Sequence, residues 1–298
     1  MQDIYIMIAR RKFRTKKARK RELIRRTLML GGGTVALLLI LWGVVFGSQM
    51  KVFRIKQLYV DSPGILTQEQ IASVLESKLD EKFLNLIPKD SIFLLSHHSL
   101  KEELKETYPR VESVTLNRLS PYALQAQVNE YEPDALWCGD LVPPISTQLK
   151  SESEAVANDI WGTCYFMSKE GYIYAKAPLY SDDLFPRYYG SLERAQPVGQ
   201  FFIESSTFKE WQEFYHSLKK EEIIPRALLF VDEQDAELYL SNGYNVYIPR
   251  KENLKQILAR LVTVLHSENI QKEKEVAYID LRFGNKAFIK YVDENKEE

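Results

Sequence analysis

The feature that most constrains this chain is a run with no charge at all, TLMLGGGTVALLLILWGVVFGSQM, from Thr27 to Met50. Before it, eleven lysines and arginines between Arg10 and Arg26 are opposed only by Asp3 and Glu22, a net of +9. Of the chain's 40 basic and 41 acidic residues, 29 and 39 lie beyond the run, so a body of net charge −10 follows. At 1.5 Å rise per residue, about 20 residues cross a hydrocarbon core of roughly 30 Å. The adjacent glycines Gly31, Gly32 and Gly33 would weaken a soluble helix but are tolerated in lipid. Excess Lys and Arg stay on the cytoplasmic side. The expectation is a basic cytoplasmic tail over 1–27, a transmembrane helix over 28–50 and the bulk of the chain outside the cell membrane. A cleaved signal peptide would have a shorter apolar core and a small-x-small site, which Val45-Phe46-Gly47 does not supply. Beside a membrane span, the basic tail is read as setting orientation and touching anionic lipid, not as binding nucleic acid.

The remaining length suffices for two cores, and a composition of 45% apolar and 27% charged residues is that of a globular chain. VFRIKQLYVDS places Phe53, Ile55, Leu58 and Val60 as a half-buried strand would. Thr67-Gln68-Glu69-Gln70 has the spacing of a capping box, opening a helix with Ile71, Val74, Leu75 and Leu79 on one face. Ser99-Leu100-Lys101-Glu102 repeats the signal before a second helix, with Leu100, Leu104 and Tyr108 as its stripe and Pro109 as its stop. RVESVTLNRLS and YALQAQVNEYE then read as strands about Ser120-Pro121. The order β-α-α-β-β predicts a three-stranded sheet covered by two helices.

Beyond Trp137 the chain is mostly strand-like. CYFMSKEGYIYAK turns at Lys169-Glu170-Gly171, and ALLFVDEQDAELYLSNGYNVYIPR gives three strands broken near Gln234 and at Asn242-Gly243. One helix is expected from Thr207 to about Leu218, with Phe208, Trp211, Tyr215 and Leu218 inward. Another spans about Glu252 to Ser267, with Leu254, Ile257, Leu258, Leu261 and Leu265 on one face. YIDLRFGNKAFIKY closes the chain as a hairpin about Gly284-Asn285, followed by an acidic tail over 294–298. A last strand of this kind leaves one side of its backbone unpaired. The fold class is therefore α+β: a transmembrane helix, a β-α-α-β-β domain and a mostly antiparallel β-domain with packed helices.

No catalytic constellation stands out: G-x-S-x-G, H-E-x-x-H, a Walker loop and G-x-G-x-x-G are all missing. The neighbours His97 and His98 point in different directions on any regular element, and His216 and His266 lie near helix C-termini, where a cation is favoured anyway. Asp280 and Arg282 fall on one face of a strand and read as an ion pair. Catalytic residues, metal ligands and cofactors are accordingly read as none. Cys138 and Cys164 flank a polar stretch outside the cytoplasm. They are read as either a disulfide across a hairpin or two buried thiols.

An ordered set of short motifs resembles the FtsQ/DivIB family of bacterial cell-division proteins. Phe53 and Ile55, Pro109-Val111-Val114, Arg118-Pro121 and Val128-Glu130-Pro133-Ala135-Trp137 match its POTRA domain, except that Tyr131 stands where the family commonly has Arg. Ser168-Gly171-Ile173, Gly243-Val246-Ile248 and the string Ile279-Asp280-Leu281-Arg282-Phe283 resemble its β-domain. The resemblance implies a POTRA domain over 51–131 and a β-domain over 132–293. It also implies a divisome scaffold, not an enzyme, that docks partners outside the cytoplasm and helps control septal peptidoglycan synthesis. The implied partners are coiled-coil proteins of the FtsB/DivIC and FtsL types, held by Phe283, Asn285, Lys286, Phe288 and Tyr291. Further divisome proteins are expected on the POTRA domain, where the first strand, Phe53 to Val60, is one candidate. The alternative is a POTRA-type polypeptide-binding component of translocation or chaperoning.

Overall fold

The computed structural model describes residues 55–79, 82–83, 87–88, 96–143, 163–178, 184–267 and 275–292, with scattered positions between 20 and 43. Phe53, the acidic tail 294–298 and nearly all of the basic tail lie outside the described residues. Within the apolar run, residues 27–29, 31–36, 38–40 and 42–43 are helical. Leu28, Leu38, Leu39, Ile40 and Trp42 there are 63–70% exposed, meeting little protein. Among the described residues no helix is long and apolar enough to cross a membrane, and the expected span over 28–50 is described only in part.

The chain divides into two compact units. One comprises Met1–Ser62, Leu66–Leu104 and Thr115–Gln127; the other comprises Pro63–Ile65, Lys105–Val114 and Val128–Glu298. The N-terminal elements follow the predicted order: β1 (Gln57–Asp61), α1 (Gln68–Leu79), α2 (His97–Thr107), β4 (Val111–Ser120) and β5 (Ala123–Glu130). A short ladder of β2 (Lys82–Phe83) with β3 (Ile87–Pro88), which the sequence reading did not include, lies between the helices in sequence. The sheet order is β1-β5-β4, with β1 parallel to β5. The capping box at α1 is reciprocal: the Thr67 N–H donates to Gln70 Oε1 at 2.9 Å and the Gln70 N–H to Thr67 Oγ1 at 3.3 Å. At α2 the cap is Ser96, not Ser99, because the Ser99 N–H itself donates to Ser96 Oγ at 3.2 Å. The helix therefore begins earlier than its S-x-x-E spacing suggested, and His97 and His98 lie in its first turn.

The second part is one ten-stranded sheet. Its strands are β6 (Ala135–Trp137), β7 (Tyr165–Met167), β8 (Tyr172–Lys176), β9 (Arg187–Gly190), β10 (Gln200–Phe201), β11 (Pro225–Phe230), β12 (Asp235–Leu240), β13 (Asn245–Pro249), β14 (Val276–Phe283) and β15 (Lys286–Tyr291). They lie in the order β10-β8-β7-β6-β9-β11-β12-β13-β14-β15. The chain folds back on itself at hairpins, giving antiparallel neighbours, but β6–β9, β9–β11 and β13–β14 are parallel. Two of these parallel steps are made by the helices α3 (Ser205–Lys220) and α4 (Leu254–Leu265), since a strand can return parallel to its neighbour only through a crossover. Both helices bury their stripes in one core. Phe208, Trp211, Phe214 and Leu218 of α3 and Ile257 and Leu261 of α4 meet Tyr188, Leu228, Phe230, Leu238, Ile248, Ile279 and Leu281 of the sheet.

The aromatic side chains dominate that core. Tyr188 and Phe208 rings lie 5.2 Å apart, Trp211 meets Phe230 edge-on at 5.0 Å, and Trp137 Nε1 donates to the Gly190 carbonyl at 2.9 Å. α3 starts two residues before the expected Thr207. Ser206 and Thr207 donate their hydroxyls to the Glu204 carboxylate, and no side chain caps the helix. At α4 the cap is Asn253, whose side chain accepts from the Lys255 and Gln256 N–H groups.

A second cluster lies on the other face, with Leu136, Cys138, Phe166, Tyr174, Tyr189 and Leu229. There β6 and β7 pair antiparallel with Trp137 opposite Tyr165, which brings the next residues, Cys138 and Cys164, side by side. They form a disulfide with Cα atoms 4.1 Å apart. On the chain-entropy model, closing a loop of 26 residues stabilises the fold by about 3 kcal/mol.

Gly171 turns the β7–β8 hairpin at φ +80°, and a Cβ there would lie 2.8 Å from the buried Phe208 ring. Gly243, at φ +102° in the β12–β13 turn, faces open space. Gly243→Ala is expected to cost about 1 kcal/mol from its backbone alone, and Gly171→Ala about 2–4 kcal/mol because overpacking is added. Urea unfolding of the two variants checks this; equal losses would mean that the Phe208 ring moves aside.

Candidate docking edge at the C-terminal strand

Among the described residues the strand β15 has a single neighbour, β14, and forms one end of the ten-stranded sheet. Along β14, Ile279 and Leu281 alternate into the helix-side core at 0% exposure, so Tyr278, Asp280 and Arg282 face the other way. Strict alternation would send Phe283 inward with Ile279 and Leu281. A register shift between Asp280 and Phe283 prevents this: Asp280 pairs with Phe288, yet Phe283 pairs with Lys286. The extra residue on β14 is a bulge, and it turns Phe283 onto the face of its partner. The ring lies edge-on to Phe288 with centroids 5.1 Å apart, and the two are 58% and 51% exposed.

A second shift between Val276 and Tyr278 sets the far end of the hairpin. Val276 pairs with Tyr291, and both are half-buried, while Ile289 packs against the helix-side core. The five residues singled out from the sequence are thus divided. Phe283, Lys286 and Phe288 share the open face, and Asn285 stands exposed in the turn beside Gly284, which adopts φ +61°. Tyr291 belongs to the opposite face with Ile289. Lys290 reaches over the Tyr278 ring at 5.9 Å.

The open face carries a polar network that orders β14. Arg282 binds Asp280 in a fork, Nε to Oδ1 at 3.0 Å and Nη2 to Oδ2 at 2.7 Å, and its Nη1 donates to Asp235 Oδ2 at 2.8 Å. The Arg282 backbone N–H also donates to Asp280 Oδ1 at 3.0 Å, and the guanidinium lies 4.9 Å above the Tyr247 ring. Burial pushes the Asp280 carboxyl up, but the Arg282 hydrogen bonds outweigh it and leave the group below its ordinary range. Arg282 is raised in turn, first by Asp280 and then by Asp235. Asp280 is only 5% exposed, so this pair is more than the surface ion pair its spacing suggested.

Sequence reasoning missed the ground beside the hairpin tip. A cleft of about 590 Å³ is lined by Glu252, Gln256, Ala259 and Arg260 of the α4 region and by Gly284 and Asn285. Arg260 Nη2 holds Glu252 at 2.5 Å, while its Nε is buried without a hydrogen-bond partner. The signal was present as an i, i+8 charge pair, but only the fold brings the turn to it. Among the described residues no group of His, Cys, Asp or Glu is arranged to hold a metal ion.

A mixed sheet with two helices on one face and a bulged, open-ended terminal hairpin defines an α+β protein built around one long sheet. Residues 158–282 match the family model described as cell division protein FtsQ/DivIB, C-terminal, so this part of the chain carries the C-terminal domain of the FtsQ/DivIB cell division proteins. The match ends at Arg282, so it takes in the D-x-R network but not β15. No curated protein matches the chain.

Because the native Asp280 carboxyl is held below its unfolded value, the network contributes fully above about pH 4 and loses its contribution as pH falls through the native pKa. Asp280→Asn should cost about 2 kcal/mol at pH 7. The difference from wild type should shrink as pH is lowered toward 3 in urea titrations. A constant difference across that window would show that the carboxylate charge is immaterial.

Proposed function

We propose that this cell-division protein is a membrane-anchored scaffold of the bacterial divisome, whose β15 edge accepts an extended segment of a partner. The observation that carries the reading is the end of the sheet. Six residues of backbone, with one side unpaired among the described residues, are flanked by the exposed pair Phe283 and Phe288. In strand addition, backbone hydrogen bonds supply affinity and side-chain contacts supply selection. The partners proposed are small coiled-coil proteins of the FtsB/DivIC type and, with them, the FtsL type. Docking them outside the cytoplasm helps control septal peptidoglycan synthesis. The role is assembly and not catalysis.

Anchoring belongs to the same proposal. It is supported by the charge-free run from Thr27 to Met50, the net +9 tail before it, and the apolar side chains of the run that meet little protein. The N-terminal sheet, with β1 as its parallel edge strand, is proposed as a POTRA domain offering a second docking surface at Gln57–Asp61.

The full chain, purified in detergent, is to be titrated with a partner of the FtsB/DivIC type. Removing residues 284–298 should abolish binding. Phe288→Ala should weaken it about tenfold or more while changing stability by less than about 1 kcal/mol, since the ring is half in water. Tyr291→Ala, on the opposite face, should cost more in stability than Phe288→Ala. Unchanged affinity in both the truncated and the Phe288→Ala forms would remove the docking edge from β15.

A further inference from the structure

One motif the docking edge does not absorb is Tyr131, at the place where the family commonly carries Arg. Its ring lies 5.1 Å from Tyr172 and 5.5 Å from Tyr174, and Tyr174 stacks on Phe166 at 6.0 Å. Tyr131, Tyr174 and Phe166 of this aromatic floor line a cleft of about 1010 Å³ that lies wholly within the second compact unit. The site is braced from below. The Tyr131 N–H donates to the Arg110 carbonyl at 2.9 Å, and Arg110 Nε lies 2.9 Å from Glu130 Oε2. Gly64 makes room for that carboxylate, since a Cβ there would fall 2.1 Å from Glu130 Oε1. The Arg110 guanidinium lies 6.0 Å over the Tyr174 ring, so a planar cation already rests on part of the floor.

The charge around the cleft is unbalanced. With Arg110 committed to Glu130, the cleft is lined by the carboxylates of Glu112, Glu132, Asp134 and Glu170 against the ammonium groups of Lys169 and Lys176; Lys209 also reaches Glu170 at 4.0 Å, and Asp134 accepts from Gln212. Glu112 and Glu132 have no ion-pair partner among the described residues. The Tyr131 hydroxyl is pushed up by burial and then by its neighbours Tyr172, Glu112 and Glu170, as a locally negative field requires.

We propose that this cleft docks an extended, lysine- or arginine-bearing polypeptide segment, with a cationic side chain lying on Tyr131 and paired to Glu112 or Glu132. An anionic ligand would meet carboxylates at the rim. An apolar one would bury them without partners. The surface is separate from β15, so this inference stands or falls independently of the docking edge.

The test uses the full chain in detergent at about 0.15 M salt, where long-range attraction is screened. The probe is a fluorescein-labelled decapeptide of alternating Arg and Gly, followed by anisotropy. It should bind, and Tyr131→Ala and the double variant Glu112→Gln, Glu132→Gln should each weaken binding about tenfold. Tyr131→Phe and removal of residues 284–298 should leave it unchanged. If Tyr131→Ala lowers the melting temperature, Tyr131→Arg carries the test, because it keeps the bulk and places a like charge on the floor. No binding, equal binding in every variant, or preference for an alternating Glu-Gly peptide would each overturn the proposal.

Discussion

The C-terminal half depends on the packing of α4 beneath β14. Ile257 and Leu261 on the helix and Ile279 and Leu281 on the strand are all at 0% exposure in one core with α3. That contact makes β14 return parallel to β13, because the helix consumes the distance between them and holds the chain on one face. With β13 on one side of β14, the hairpin strand β15 takes the other, and among the described residues it ends the sheet. The open edge follows from where a helix buries its stripe. A polar substitution at Ile257 would therefore act on β15 without touching it.

Much of this was legible because each local signal agreed with the global fold. The leucine stripe of α4, the Asn242-Gly243 turn and the alternation of β12 and β13 all point to the same layer arrangement. The sequence reading failed where a residue has neighbours on both sides. β9, Arg187–Gly190, runs between β6 and β11 and is buried throughout, with Tyr188 in one core and Tyr189 in the other. A strand buried on both faces has no alternation to read. The helix caps failed for another reason: Ser96 and Ser99 are chemically alike and three apart, and only the backbone direction decides which one leads. The disulfide depended on pairing register, which composition does not contain.

Phe283 shows the same limit at the candidate site. The family resemblance set it among the docking residues, yet alternation with Ile279 and Leu281 alone would make it a core residue. One extra residue in the ladder reverses that, and the ring joins Phe288 outside. Bulges are set by pairing between strands, so they leave little trace in either strand alone. The Asp280–Arg282–Asp235 cluster stands beside the shift and fixes its geometry. Arg282 is held through four of its own donors, the backbone N–H included, to two carboxylates on two strands. The cluster is thus structural in its chemistry, while its effect is to decide which side chains the edge presents.

The two ends of the sheet are not equivalent, and the difference argues for use at one of them. At the far end β10 is two residues long, and its exposed Phe201 is occupied by Tyr172 at 5.2 Å. So short an edge cannot template a partner strand. At the near end β15 offers six residues, partly guarded by Lys286 and Lys290 and twisted by two register shifts. Those are the devices that discourage indiscriminate pairing. Left within them is one aromatic pair, half exposed, next to a cleft in which Arg260 keeps a buried Nε unpaired. Protection against any strand, combined with a specific apolar foothold, is what selection for one strand requires.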